Sequence, residues 1–170
     1  FCAPFSNGII DGVMINKSDI LGYVADAAPE NYNIFKSITM AASKKGYKLT
    51  DFRKVPFDGS AYSHGEGAIQ NKTVKAYTFT VYAQGAGVDR LVDDLKNGRF
   101  VLVTRTENGQ FEIIGKEAAL LCTDHNRQPA GGENDGAWMV TLQCSELTTG
   151  NYLFDTDQAT TLSTYQALTT

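Results

Sequence analysis

The sequence is poor in the residues that most often carry chemistry or fix a scaffold. Its 170 residues include three cysteines, two histidines, four prolines and one tryptophan. Three cysteines cannot all pair within one chain, so a disulfide framework is excluded as the basis of the fold. No segment approaches the roughly 18–20 consecutive apolar residues of a membrane-spanning helix. Positive charge is in deficit: 15 Lys and Arg against 19 Asp and Glu leave a net charge of −4, which argues against a general nucleic-acid binder. Phosphate cradles are missing too. There is no G-x-x-x-x-G-K-[ST], and Gly85-Ala86-Gly87 meets Arg90 where a dinucleotide fingerprint needs its third glycine. No G-x-S-x-G turn presents a serine nucleophile.

What is present suits a folded β protein. Hydrophobic residues make up 42% and charged residues 20%, too apolar for a wholly disordered chain and enough for a core. A single domain over residues 1–170 is expected. Glycine (16) outnumbers proline (4) fourfold, as in short strands joined by turns.

Residues 1–12 read as an irregular N-terminal arm or first edge strand. Short apolar runs follow at 12–15 and 20–24. Strands are expected at 34–42 and 47–52, paired as a hairpin around Lys44-Lys45-Gly46. Residues 56–71, with Gly59, Gly65, Gly67 and His64, form the longest loop candidate. From Thr73 to Ala83 the chain alternates cleanly, with Tyr77, Phe79 and Val81 on one face. Helix periodicity is clearest over 87–97, where Val88, Leu91, Val92 and Leu95 fall on one stripe and Gly98 stands at the expected left-handed C-cap. Asn108-Gly109 then predicts a tight primed turn between Phe100–Val103 and Phe111–Ile114. Another strand is expected over 117–124, a polar loop over 126–135, and a strand over 137–146 with Trp138, Val140, Leu142 and Cys144 on one side. Residues 155–170, threonine-rich and without charge after Asp157, read as a C-terminal tail that orders only on assembly. The sum is a mainly β chain: an antiparallel β-sandwich or partly closed barrel with one flanking α-helix.

Constellations for catalysis are thin. His64 and His125 lie in separate polar segments, and Cys122-Thr123-Asp124-His125 has no second ligand pair to make a zinc site. Cys122 and Cys144 sit in apolar runs and read as buried thiols, or as a bridge if their strands are neighbours in an oxidising compartment. Glu112, Glu117, Asp124 and Glu146 offer facing carboxylates only by arithmetic. The chain is therefore expected to be non-enzymatic, with no cofactor and no metal.

From the helix onward the order of motifs is distinctive. Leu91-Val92-Asp93-Asp94-Leu95-Lys96-Asn97-Gly98-Arg99-Phe100 leads through Asn108-Gly109-Gln110-Phe111-Glu112-Ile113-Ile114-Gly115, Ala119-Leu120-Leu121 and the Gly131-Gly132 to Gly136 stretch into Trp138–Glu146. This order, over about residues 73–150, resembles small structural proteins of the tail-tube and tail-completion class from tailed phages of gut Bacteroidetes. The resemblance implies a virion structural subunit that assembles into rings, commonly sixfold, in a tail tube, neck or head–tail connector. It implies neighbouring virion proteins as partners and neither catalytic residues nor a cofactor. The acidic balance is compatible with a channel that DNA traverses without specific binding. Expected subunit contacts lie in the 56–71 and 126–136 loops, at Tyr62, His64, Asn126, Arg127 and Asn134, and at both termini. The alternative is a secreted or periplasmic β-sandwich that binds glycans or surfaces, with Tyr62, Tyr77, Tyr82 or Trp138 as aromatic platforms.

Overall fold

The structure is a computed structural model that describes residues 8–49, 57–65, 71–81, 85–127 and 136–169, with residues 57–60 described by their backbone alone. Among the described residues are eleven strands and two α-helices. In chain order these are β1 (Ile9–Asn16), β2 (Ile20–Ala25), β3 (Ile34–Met40), β4 (Tyr47–Leu49), β5 (Phe57–Gly65) and β6 (Lys72–Val81), then α1 (Ala86–Asn97). There follow β7 (Phe100–Thr106), β8 (Phe111–Ile114), β9 (Leu121–Arg127), β10 (Trp138–Glu146), β11 (Asn151–Leu153) and α2 (Gln158–Gln166).

The strands form two sheets, one of seven strands ordered β2-β3-β11-β8-β7-β1-β4 and one of four ordered β5-β6-β10-β9. All pairings are antiparallel except that of β11 with β3. The molecule is thus sandwich-like, with no closed barrel. The seven-stranded sheet is covered on both faces, which explains why Phe100-Val101-Leu102-Val103 is an unbroken apolar run. Phe100 and Leu102 face the four-stranded sheet, where they join Met14, Ile114, Tyr77, Phe79, Val140 and Leu142. Helix α1 adds Val92 and Leu95 to this layer, while Leu91 of the expected stripe stays half exposed. Val101 and Val103 face the other way, with Val13, Ile15, Phe111, Ile113 and Leu153, against Tyr165 and Leu168 at the C-terminal end.

Several expectations are corrected. Residues 155–170 were expected to order only on assembly, yet 158–166 form α2 on this chain's own sheet. Asp157 caps that helix by accepting from the Thr160 N–H at 2.7 Å, and Thr161 and Tyr165 are buried. Of the expected N-terminal arm, Ile9–Gly12 belong to β1, which lies between β7 and β4; residues 1–7 lie outside the described residues. The expected hairpin at 34–52 does not form, because β3 pairs with β2 and β11 while β4 pairs with β1. The connection runs past the end of α2, where the Gly46 N–H donates to the Leu168 carbonyl at 2.7 Å. Most of the expected loop at 56–71 is strand β5, an edge strand on which Ser63 and His64 are exposed. The strand expected over 117–124 starts later, as β9, which also takes in Asn126 and Arg127 from the expected 126–135 loop.

Two turns also differ in type. Gly98 has φ −83, an extended conformation rather than a left-handed cap, because the chain passes directly from α1 into β7. Between β7 and β8 only Gly109 has positive φ (+76). The Gly109 N–H donates to Thr106 O and the Thr106 N–H to Gln110 O, so this is a three-residue loop with glycine in the left-handed position rather than a two-residue primed turn.

Candidate functional site

Of the expected contact residues, Tyr62 and His64 lie on β5, and Asn126 and Arg127 lie on β9. These strands are the two opposite edges of the four-stranded sheet. Asn134 lies outside the described residues. His64 and Asn126 are exposed. Arg127 is half-buried, its Nε donating to Gly136 O at 2.9 Å and its Nη1 lying 4.0 Å from Asp89 Oδ1. That carboxylate also accepts from Trp138 Nε1 at 3.0 Å. His125 packs on the Trp138 ring, with centroids 5.8 Å apart. The two histidines therefore sit on opposite sheet edges rather than together.

Tyr62 behaves differently from a free contact residue. Its hydroxyl turns inward, donates to Glu112 Oε1 at 2.6 Å and shares a short hydrogen bond with Tyr77. Behind it lies a group of charges inside the sandwich. Strand alternation puts Lys75 on the same face as Tyr77 and Phe79, and Glu146 on the same face as Val140, Leu142 and Cys144. Both side chains are fully buried, with Lys75 Nζ 2.9 Å from Glu146 Oε2. Glu112, in phase with Ile114 on β8, brings Oε1 to 3.7 Å from the same Nζ. The Nζ also lies 5.2 Å from the centre of the Tyr62 ring.

The remaining oxygen of Glu146 is held by main chain. Its Oε1 accepts from the Gly115 N–H at 3.0 Å and the Glu117 N–H at 3.3 Å. The turn that supplies these donors is clasped from outside by Lys17, whose Nζ donates to the carbonyls of Gly115, Lys116 and Glu117. Glu117 returns the contact, accepting from the Leu147 N–H and the Thr148 hydroxyl, each at 2.7 Å.

Burial dominates the electrostatics of this group. It holds the Glu112 carboxyl above the ordinary glutamate range, even though the Tyr62 hydrogen bond and Lys75 pull it back. Burial, reinforced by Glu112, likewise raises the Tyr62 and Tyr77 hydroxyls, which stay protonated. The Cys144 thiol is pushed up to about 12, first by burial and then by Glu146.

Sequence reasoning named Glu112 and Glu146 but missed Lys75. The available signal was a lysine in phase with Tyr77 and Phe79 on the cleanest strand of the chain.

A second feature is an apolar cavity of about 690 Å³ between β4, β6 and α1, lined by Met14, Leu49, Phe79, Val81, Leu95 and Phe100 among others. Among the described residues no three His, Cys, Asp or Glu side chains gather as a metal would need, and no helix is long and apolar enough to cross a membrane. Cys122 and Cys144 are free thiols. No protein-family model matches the chain, and neither a curated protein nor a solved structure matches it.

Proposed function

We propose that this protein is a non-enzymatic virion structural subunit of the tail-tube, neck or tail-completion kind, which builds rings by joining its four-stranded sheets edge to edge. One observation carries the reading: Tyr62, His64, Asn126 and Arg127, the described residues among those expected to make subunit contacts, fall on the two opposite edges, β5 and β9, of one antiparallel sheet. Each edge strand has a single strand partner among the described residues. With four alternating strands, β5 and β9 run in opposite directions. A neighbouring copy related by simple repetition therefore sets its β5 antiparallel to β9, continuing the ladder. Such a head-to-tail contact uses two different surfaces of each subunit, the arrangement that forms a ring when the rotation between copies closes and an open filament when it does not. An unpaired edge is a ready template for pairing with another chain. The resemblance over residues 73–150 supports the virion setting.

A secreted or periplasmic binding module would present exposed aromatic side chains to its ligand. Tyr77 is buried and Trp138 is half-buried and tied to Asp89, so neither offers a free platform.

Light scattering across a concentration series, with electron microscopy of the same samples, tests the proposal. Discrete rings are expected at high concentration. A protein that stays monomeric throughout, alone and with its neighbouring virion proteins, overturns it.

A further inference from the structure

We propose that Lys75 and Glu146 are the partners of an autocatalytic amide bond that covalently ties β6 to β10 inside the sandwich. The parts such a reaction needs are assembled in one buried place. The nucleophile, Lys75 Nζ, stands 2.9 Å from Oε2 of Glu146, the carboxyl whose carbon it would attack, and holding two reacting groups together makes their reaction effectively unimolecular. Neither of these two atoms makes an aligned hydrogen bond. The carboxyl is polarised by the Gly115 and Glu117 N–H groups on its other oxygen, Oε1. Two main-chain donors on one oxygen are the arrangement that stabilises a tetrahedral oxyanion. Glu112 Oε1, 3.7 Å from Nζ, is the proton relay, and Tyr62 fixes its orientation.

The step balances without oxidant or cofactor. The ammonium first passes one proton to Oε2, leaving a neutral amine and a neutral carboxylic acid. The Nζ lone pair then attacks Cδ of Glu146, forming the N–C bond and moving the carbonyl electron pair onto Oε1. Glu112 takes a second proton from Nζ and returns it to Oε2. The electron pair on Oε1 re-forms the carbonyl, the C–Oε2 bond breaks, and water leaves. One ammonium and one carboxylate become one amide and one water, with no change in net charge, and Glu112 is regenerated. The amide oxygen keeps its two main-chain donors, and the buried charges are gone. A buried ion pair carries a heavy desolvation penalty, so the product suits the site better than the reactants.

Intact-mass measurement on the denatured full-length chain tests the proposal, followed by proteolysis and fragment sequencing. The expected mass is one water below that of the sequence, with a branched peptide joining the Lys75 and Glu146 segments. Lys75→Arg should restore the full mass. In Glu112→Gln, with its fold checked by circular dichroism, linkage should slow by about 10²-fold or more, as for loss of a general acid–base. The wild-type mass decides the matter even where Lys75→Arg does not fold. A full mass in folded wild-type protein after prolonged incubation overturns the proposal. So does a water loss that maps instead to Asp11-Gly12, Asp58-Gly59 or Asp135-Gly136, where aspartate closes on the next nitrogen. Linkage as fast in Glu112→Gln as in wild type overturns the relay.

Discussion

The hydroxyl of Tyr165 donates to Asp11 Oδ1 at 2.8 Å, a buried contact that spans 154 positions of sequence. The other oxygen of Asp11 accepts from Arg105 Nη2 at 2.8 Å. One carboxylate on β1 thereby fastens both α2 and β7. Phe111 adds an aromatic contact to Tyr165, with centroids 4.9 Å apart.

Tyr165→Phe keeps the ring and removes only the donor, leaving a buried carboxylate oxygen without its partner. A loss of about 1–3 kcal/mol is expected, read as a lower urea midpoint with an unchanged slope. Because α2 is part of the fold of a single chain, the loss should not depend on protein concentration. Ring assembly raises both midpoints alike, so a difference between wild type and variant that changes with concentration would mean that the C-terminal segment docks on a neighbouring copy.

Glu112 gives stability a distinct pH dependence. Its native pKa lies above the unfolded value, chiefly through burial. Between those two values the native state holds a proton that the unfolded chain releases, so stability falls as pH rises through the window. Glu112→Gln removes the titration. Its stability should be flatter there by up to about 1.4 kcal/mol per pH unit, measured by urea unfolding at a series of pH values starting near the ordinary glutamate pKa. A steeper fall in the variant would reverse the sign and refute the assignment.

The strongest local signals survived in the structure. The alternation of β6 and of β10, the periodicity of α1 and the glycine turn between β7 and β8 each depend on neighbours in sequence. Strand β5 was hidden because an edge strand needs no apolar alternation. Helix α2 was hidden because its buried side, Thr161, Tyr165 and the following Leu168, includes a threonine in place of an aliphatic. Lys75 and Glu146 were each visible as charges in phase with apolar residues. Their meeting depends on the pairing of β6 with β10, a long-range fact with no local trace. The site was therefore legible residue by residue and illegible as a group.

The two described thiols should differ in reactivity. Thiolate is the reacting species. Cys144 is buried, with its pKa pushed up to about 12; Cys122 is half-buried and raised less, again mainly by burial. Alkylation of the native protein near neutral pH, followed by peptide mapping, should modify Cys122 slowly and leave Cys144 untouched until urea unfolds the chain. Early labelling of Cys144 would show that the sandwich opens locally at β10.

Two glycines with positive φ separate backbone strain from crowding. Gly109 has φ +76, and the atoms nearest a Cβ there belong to the side chain of Gln158, which lies on the surface and can move. Gly115 has φ +87, and its Cβ would stand 2.9 Å from the Phe100 carbonyl and 3.2 Å from the Leu120 nitrogen. Those atoms are locked by the reciprocal main-chain bonds between Phe100 and Leu120 and cannot retreat. Asparagine tolerates the left-handed region better than alanine does. At position 109, alanine should cost about 1–2 kcal/mol and asparagine less. At position 115 both should exceed that range, because asparagine relieves the φ penalty but not the clash. Urea midpoints of the four variants check this. If Gly115→Asn proves as mild as Gly109→Asn, then φ alone explains both glycines, and the tight seating of the turn beneath Glu146 is wrong.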